Sequence, residues 1–599
     1  MHRFVSLLCL SLLAGPGLGR APRAADLDWT EVETAHLRLY SSVRDAKTRE
    51  VAEGLGLLRD TLEALFPRMG METASEHPER SASPEDRPTV FLFEDQRAYR
   101  PYGRVLGSED ERIRGHLVAH PLGDFVVLDA YPPEGASSLP VAYHEMTHAF
   151  LESRYPAVPS WLHEGLAEYF STFQALGDEV QVGVPHAEHV RSLRRRRFTP
   201  WEEILSTGEA PRGNGAESFY AQSWLLVHFL RHREDGAAGD LQRYLEALAA
   251  EQDPGEAFRR TFGLDPSSLE TPLRRYLHRS RFEMTDISRE RLPTPSRIAI
   301  RPAPPGEVLY RLGLLLTSTG DAEDAASDHF REAIRRGDPD ARAGLGHLLE
   351  ERDPAAAERE YRAAIASGPD DPLTFHLYGR WLVRRLRGEV PGPTPELATV
   401  RRVLERGLEL DPGEPRLRSL LGTTWLFDDG PFDEGIRYLR AARRARPGHP
   451  ATLFNLAMLY RKAGRLEEAE NLAEGPLAAA DPELAERATR ELRRKRLELR
   501  VNEALRNRRP EEARRLVREA GTRGAELRSG ELDRWLERID VQARHQREAA
   551  IYNEAVTYAN FGEWGEVVEI LRPLVEEGTV PEVVAAARKL LAEAEHKDD

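Results

Sequence analysis

The chain carries His144-Glu145-Met146-Thr147-His148, two histidines four residues apart with a glutamate beside the first. On a helix, positions four apart lie on one face. Two imidazoles so placed can bind one metal ion, and Glu145 can reach a water that the ion holds. A catalytic zinc ion needs a third protein ligand and one open coordination position. The alternative for the same residues is a solvated helix with two surface histidines. Fifteen residues separate His148 from Glu164, which sits in Trp161-Leu162-His163-Glu164-Gly165-Leu166-Ala167-Glu168-Tyr169.

Together these segments resemble the gluzincin clan of zinc metallopeptidases, in particular the bacterial "peptidase MA-like" group and more distantly the zinc aminopeptidases. In that clan HExxH is followed by a second helix bearing a glutamate ligand, often inside W-L-x-E-G. The resemblance implies an α+β zincin-like catalytic domain that holds Zn2+, with His144, His148 and Glu164 as ligands and Glu145 as general base. Glu168, one turn after Glu164, corresponds to the carboxylate that accepts the other N–H of a ligand histidine and fixes its tautomer; otherwise it is an exposed helical carboxylate. Ser218 to Leu230 resembles the helix that follows the catalytic tyrosine in aminopeptidase-like members. Tyr220 is thereby a candidate donor to the developing oxyanion, or else a packing residue. No Gly-rich exopeptidase motif precedes HExxH, a departure that favours endopeptidase action.

Other polar groups read as structural. His163 is expected to point off the ligand face. His186 and His189 lie in an irregular stretch and read as solvated rather than as ligands. Arg194 to Arg197 reads as a solvated charge run. His228 is expected packed or half exposed, with Trp224, Leu225, Val227 and Phe229 in the core.

The elements that must position these groups follow from periodicity. His36 to Tyr40, Thr89 to Phe93 and Phe125 to Leu128 read as strands. The last of these could pair with an extended peptide. Ala46 to Leu65 has helical spacing, Ser75 to Pro88 reads as a loop, and helices follow over 141–154, 160–173 and on to about 281. Pro293, Pro295, Pro302, Pro304 and Pro305 crowd one stretch. The expected division is a signal peptide at 1–19, the metallopeptidase domain at 20–285, a proline-rich linker at 286–306 and a repeat region at 307–599, with the two halves folding independently.

The repeat region shows helix pairs with small residues at fixed offsets: Ala326, Phe330, Ala333 and Pro339, then Ala357, Tyr361, Ala364 and Pro369, later Gly435, Leu439, Ala442 and Pro447. These offsets resemble the tetratricopeptide repeat. The implied architecture is an all-α solenoid of about five units to Pro482, a degenerate sixth over 552–574 and a capping helix near Pro581.

Composition narrows the function classes. The 599 residues are 40% hydrophobic and 31% charged, with a net charge of −16. That balance is of a folded soluble chain and argues against nucleic acid as a partner. The single cysteine, Cys9, falls within a basic, then apolar, then small-residue N-terminus that reads as a secretory signal. Export to a periplasm or beyond is expected, with no transmembrane segment in the mature chain. The expected function is a zinc-dependent peptidase, with the repeats docking a protein substrate or partner. The alternatives are an exported interaction scaffold with a weak or vestigial peptidase domain, or a metal-dependent hydrolase of a non-peptide substrate.

Overall fold

The computed structural model describes residues 23–66, 87–105, 115–118, 120, 122–131, 137–154, 158–208, 210–211, 215–233, 239–249, 253–293, 298–318, 322–522 and 530–598. The expected signal peptide at 1–19 and nearly all of the loop at 75–88 lie outside them. In chain order the first half runs β1 (Thr30–Glu33), β2 (Arg38–Ser41), α1 (Asp45–Leu65), β3 (Thr89–Phe93), α2 (Gln96–Val105), β4 (Gly115–Val118), β5 (Phe125–Asp129), α3 (Leu139–Arg154) and α4 (Ser160–Ser171). It continues with β6 (Gln174–Leu176), β7 (Glu179–Val182), α5 (Ala187–Arg195), α6 (Trp201–Ser206), α7 (Ala216–His232), α8 (Asp240–Ala249), α9 (Pro254–Phe262), α10 (Glu270–Leu277), β8 (Thr285–Ser288) and β9 (Ile300–Pro302).

The main sheet has the order β4-β5-β3-β2-β1-β9. Strands β2, β3 and β5 are parallel, while β4, β1 and β9 run antiparallel to their neighbours. Strand residues alternate between faces. Leu39, Val90, Leu92, Val126 and Leu128 pack with Val51, Leu55, Leu58 and Leu62 of α1 and with Met146 and Phe150 of α3 in one core. That core fixes the helix bearing His144 and His148 against the sheet.

The opposite face is aromatic. Phe91 stacks on Tyr40 and Phe125, and Phe93 stacks on Tyr102. All five residues of β3 are buried, which requires cover on both faces. The second cover comes from the repeats. Tyr40 Oη donates to Glu307, Tyr102 Oη bonds His329 Nε2 at 3.0 Å, and His120, edge-on to Phe125, bonds Thr317 Oγ1 at 3.2 Å.

Residues 286–306 therefore do not act as the free linker expected from their prolines. β8 pairs with β7, and β9 pairs with β1 at the sheet edge. The prolines at and beyond the end of β9 leave its ladder intact, because Pro302 closes the strand and Pro304 and Pro305 open the next helix, where a missing N–H costs nothing.

The repeats begin with α11 (Pro305–Leu316), α12 (Glu323–Arg335), α13 (Ala341–Leu349), α14 (Pro354–Ala366), α15 (Pro372–Leu386), α16 (Leu397–Leu410), α17 (Pro415–Thr423), α18 (Asp433–Ala445), α19 (Pro450–Lys462) and α20 (Leu466–Glu474). Ala326, Phe330 and Ala333 are buried on α12, and Ala357, Tyr361 and Ala364 on α14, as the offsets predict. A Cβ on Gly313 would stand 2.5 Å from the Phe330 ring, so the Leu-Gly pairs mark close helix approach. The chain forms two compact units that divide inside α19, one reaching Thr452 and the other spanning Leu453–Asp599.

In the second unit the helices lengthen and leave the repeat period. Beyond the short α21 (Pro476–Ala480) come α22 (Pro482–Arg506), α23 (Pro510–Thr522), α24 (Glu531–Phe561), α25 (Trp564–Glu577) and α26 (Pro581–Asp598). Two small cores hold them, one around Val501, Leu505, Val517 and Ile539, the other around Ala555, Val567, Leu571 and Ala587. No helix among the described residues is long and apolar enough to cross a membrane.

Candidate metal centre

Helices α3 and α4 pack side by side and present the candidate ligands to each other. Gly165, the residue after Glu164, explains part of the motif. A Cβ there would lie 2.5 Å from the Ser223 carbonyl oxygen and 2.7 Å from Val227, so only glycine lets α4 press against α7. Trp161, Leu162, Leu166 and Phe170 bury the rest of that side of α4 and turn Glu164 and Glu168 toward α3.

His144 Nε2 and His148 Nε2 stand 2.9 Å apart. Glu164 Oε2 lies 3.5 Å from the first and 3.3 Å from the second. Three donors on a tetrahedral ion with bonds of about 2.0–2.1 Å are about 3.3–3.5 Å from one another. Without an ion the two ring nitrogens are joined by a hydrogen bond, one donating to the other; the distances from Glu164 match the spacing of two ligands on one ion. Glu164 Oε2 is buried and makes no hydrogen bond to the described residues, which would be costly unless a cation accepts its lone pairs. The His2Glu donor set suits zinc, with a fourth position open.

The electrostatics point the same way. Burial pulls the His144 imidazole downward, but the close approach of Glu164 and the charges of Glu168, Glu145 and Glu164 outweigh it and hold it up at about 10. A field that retains a proton so strongly also favours a divalent cation. Burial pushes Glu164 upward, and the charge of His148 and the close approach of both histidines reverse this and leave it well below the carboxylate range. Glu145 is raised, first by burial, against the opposing charges of His144 and His148 and a hydrogen bond from the Leu117 backbone on β4.

Glu168 is not an exposed helical carboxylate. Its Oε1 lies 3.4 Å from His144 Nδ1, and its Oε2 bonds His189 Nε2 at 3.0 Å. The reading of His186 and His189 as solvated is thereby corrected. α5 carries His189 to Glu168, and the His186 ring stacks on it at 3.9 Å. His163 lies off the ligand set as expected, yet its ring stacks on His148 at 4.3 Å, and burial drops it to about 3. Tyr220 sits half-buried on the second turn of α7, one turn before Trp224, whose ring is 6.0 Å from His189. His228 is fully buried, bonded to Tyr276 Oη at 2.7 Å and Gly183 O at 2.9 Å, and is structural. Arg194 is not merely solvated, since it donates to Leu277 O at 2.9 Å.

The peptide-pairing role expected for Phe125 to Leu128 does not fit. β5 is paired on both sides, and among the described residues the sheet ends beyond it at β4. Sequence periodicity missed β4 because Gly115-His116-Leu117-Val118 is too short to alternate visibly. His189 was missed because its partner, Glu168, is 21 residues away.

A family model for the tetratricopeptide repeat matches residues 426–489. A model for a protein family of unknown function, DUF1570, matches residues 141–254, a span that holds His144, His148, Glu164, Glu168, His189 and Tyr220. The helix pairs and the family model make the region from α11 to α20 a run of tetratricopeptide repeats. No curated protein matches this chain. Among solved structures, YrrB, a TPR protein with an unusual peptide-binding site, shares 20% identity at a TM-score of 0.24, covering 30% of this chain and 90% of its own. TTC0263, a TPR protein of Thermus thermophilus, shares 22% at 0.25, covering 31% and 97%. Yeast Tom70 shares 12% at 0.23, covering 63% and 86%.

Proposed function

We propose that the first half of the chain is a zinc-dependent peptidase of the gluzincin type with a zincin-like fold, acting as an endopeptidase, and that the repeats dock its protein substrate or partner. The observation that carries this reading is the convergence of His144 Nε2, His148 Nε2 and Glu164 Oε2 beside Glu145. Zinc held there would lower the pKa of a bound water toward neutrality and polarise the scissile carbonyl.

Glu145 takes the proton of the attacking water and passes it to the leaving amine. Its burial raises its proton affinity, which suits a base working near neutral pH. Glu168 accepts from His144 Nδ1 and so keeps Nε2 free as a ligand. Tyr220 donates to the carbonyl oxygen as charge builds on it. Among the described residues β4 is paired on one side only, and its Leu117 backbone lies at Glu145. An extended substrate strand can add to that edge with its scissile bond near the base. Residues 1–19 support export of the protein.

A second reading keeps the repeats as the main function, with the first domain a weak or vestigial peptidase. The match to the tetratricopeptide model favours it, since DUF1570 carries no stated activity. Cleavage-site profiling of a peptide library with the zinc-loaded full chain, beside Glu145→Gln, decides. Cleavage lost in Glu145→Gln supports the peptidase. Stoichiometric zinc without cleavage supports the scaffold, and a protein that takes up no zinc sinks the metal assignment.

A further inference from the structure

Outside the three candidate ligands, Glu168, His186 and His189 each offer a donor atom, and these atoms lie within 4.8 Å of one another. The three come from two elements that the fold forces together. α4 supplies Glu168, and the start of α5 supplies His189 on its first turn and His186 just before it. The set is half-buried, with 12% of the His189 side chain and 14% of the Glu168 side chain exposed. It is therefore reachable from solvent yet shielded enough to hold an ion.

We propose that Glu168, His186 and His189 form a second divalent-cation site, distinct in its ligands from the first and joined to it through Glu168. Two imidazoles and one carboxylate make the same donor set as the first site and select a borderline ion such as Zn2+ over Ca2+ or Mg2+. Burial lowers the proton affinity of His186, with the charge of His189 adding to this. His186 Nδ1 is buried and makes no hydrogen bond to the described residues, an unmet demand that an ion would answer.

The set is poised rather than closed. The His186 and His189 rings are stacked with 19° between their planes. A metal lies in the plane of each imidazole it binds, so His186 must turn about its Cβ–Cγ bond to bring both nitrogens to one point. His189 Nε2, which now shares a proton with Glu168 Oε2 at 3.0 Å, must present its lone pair to the ion.

The linkage has a direction. Glu168 Oε1 faces His144 Nδ1 at 3.4 Å, while Oε2 would face the second ion. An ion on Oε2 withdraws electron density from Oε1 and weakens the hold on His144. Occupancy of the second site should therefore loosen the first.

The test is zinc stoichiometry of the full chain after chelation, followed by titration with Zn2+ and, separately, with Co2+ read by visible absorption. The wild type should take up about two ions per chain, the second more weakly. His186→Ala and His189→Gln should each take up one. His189→Gln retains an N–H donor for Glu168, so a site that is only a hydrogen-bond relay would leave its stoichiometry at the wild-type value. A wild type that binds a single ion, lost in His148→Ala and kept in His189→Gln, overturns the proposal. So does a second ion that survives in the His186→Ala/His189→Gln double variant. His148→Ala should lose one ion and keep the other; if His148→Ala changes nothing while His189→Gln loses an ion, the first site fails and this one stands. Thermal melting of each metal-free variant beside the metal-free wild type confirms that the chain compared is folded.

Discussion

Arg416, at the start of the fourth repeat, donates its Nη1 to the carbonyl oxygen of Leu122, beside β5, at 2.7 Å. The same guanidinium pairs with Glu414 at 2.8 Å, and the Glu414 side chain is 0% exposed. The bond ties a repeat to the sheet domain across 294 residues of sequence. Replacing Arg416 by Ala strands a buried carboxylate, which costs about 3–5 kcal/mol. Urea unfolding of Arg416→Ala should show a midpoint lowered accordingly, with part of the loss recovered in Arg416→Met/Glu414→Gln. An unchanged midpoint would mean the junction adds nothing to stability.

A chain ending at Arg291 tests the junction as a whole. It lacks β9, and it uncovers the aromatic face of Tyr40, Phe91, Phe93 and Phe125. Large exposed apolar patches promote association. This chain is expected to aggregate or to bind a hydrophobic dye strongly, whereas one ending near Thr452 should remain monomeric. Light scattering separates the two.

At the metal centre, Glu164→Ala should lose the ion at His144 and His148, as His148→Ala does, because two histidines alone leave it exposed to water and poorly held. Metal analysis after dialysis against a weak chelator measures it. Retention of a full equivalent at His144 and His148 would remove Glu164 from the ligand set.

Tyr220→Phe probes the oxyanion role without disturbing packing. Turnover of a cleaved peptide should fall by roughly ten- to a thousandfold, with zinc content unchanged. Equal turnover would return Tyr220 to packing against Phe219.

Glu350 links repeats two and three and sets a pH dependence. It accepts from Tyr361 Oη at 2.5 Å, Arg380 at 2.9 Å and Arg384 at 2.9 Å. Burial pushes its carboxyl upward, and the His347 hydrogen bond and the Arg380 charge reverse that and bring it to about 2. A depressed carboxyl contributes stability that is complete above its unfolded value and is lost as pH falls through the folded one. The loss should fall between about pH 5 and pH 2 and amount to about 3 kcal/mol. Glu350→Gln should flatten that acid limb in thermal unfolding measured against pH; an identical limb would assign the dependence elsewhere.

The sequence by itself determined what depends on neighbours along one helix. The i, i+4 pair His144 and His148, the Glu164–Glu168 turn and the small residues of α12 and α14 all follow from helical period, and each lies where that period places it. Thr89-Val90-Phe91-Leu92-Phe93 even carried the sign of two-sided burial, being apolar at four consecutive positions. Only the tertiary structure decided what covers that second face, which strand pairs beyond β5 and where His189 goes. Those relations join residues far apart in sequence, Tyr40 with Glu307 or Glu168 with His189. The prolines of 286–306 misled for the same reason. A proline constrains its own φ and N–H and leaves open whether the adjacent residues complete a sheet begun near the N-terminus. That choice was made at the β1 edge, where β9 pairs.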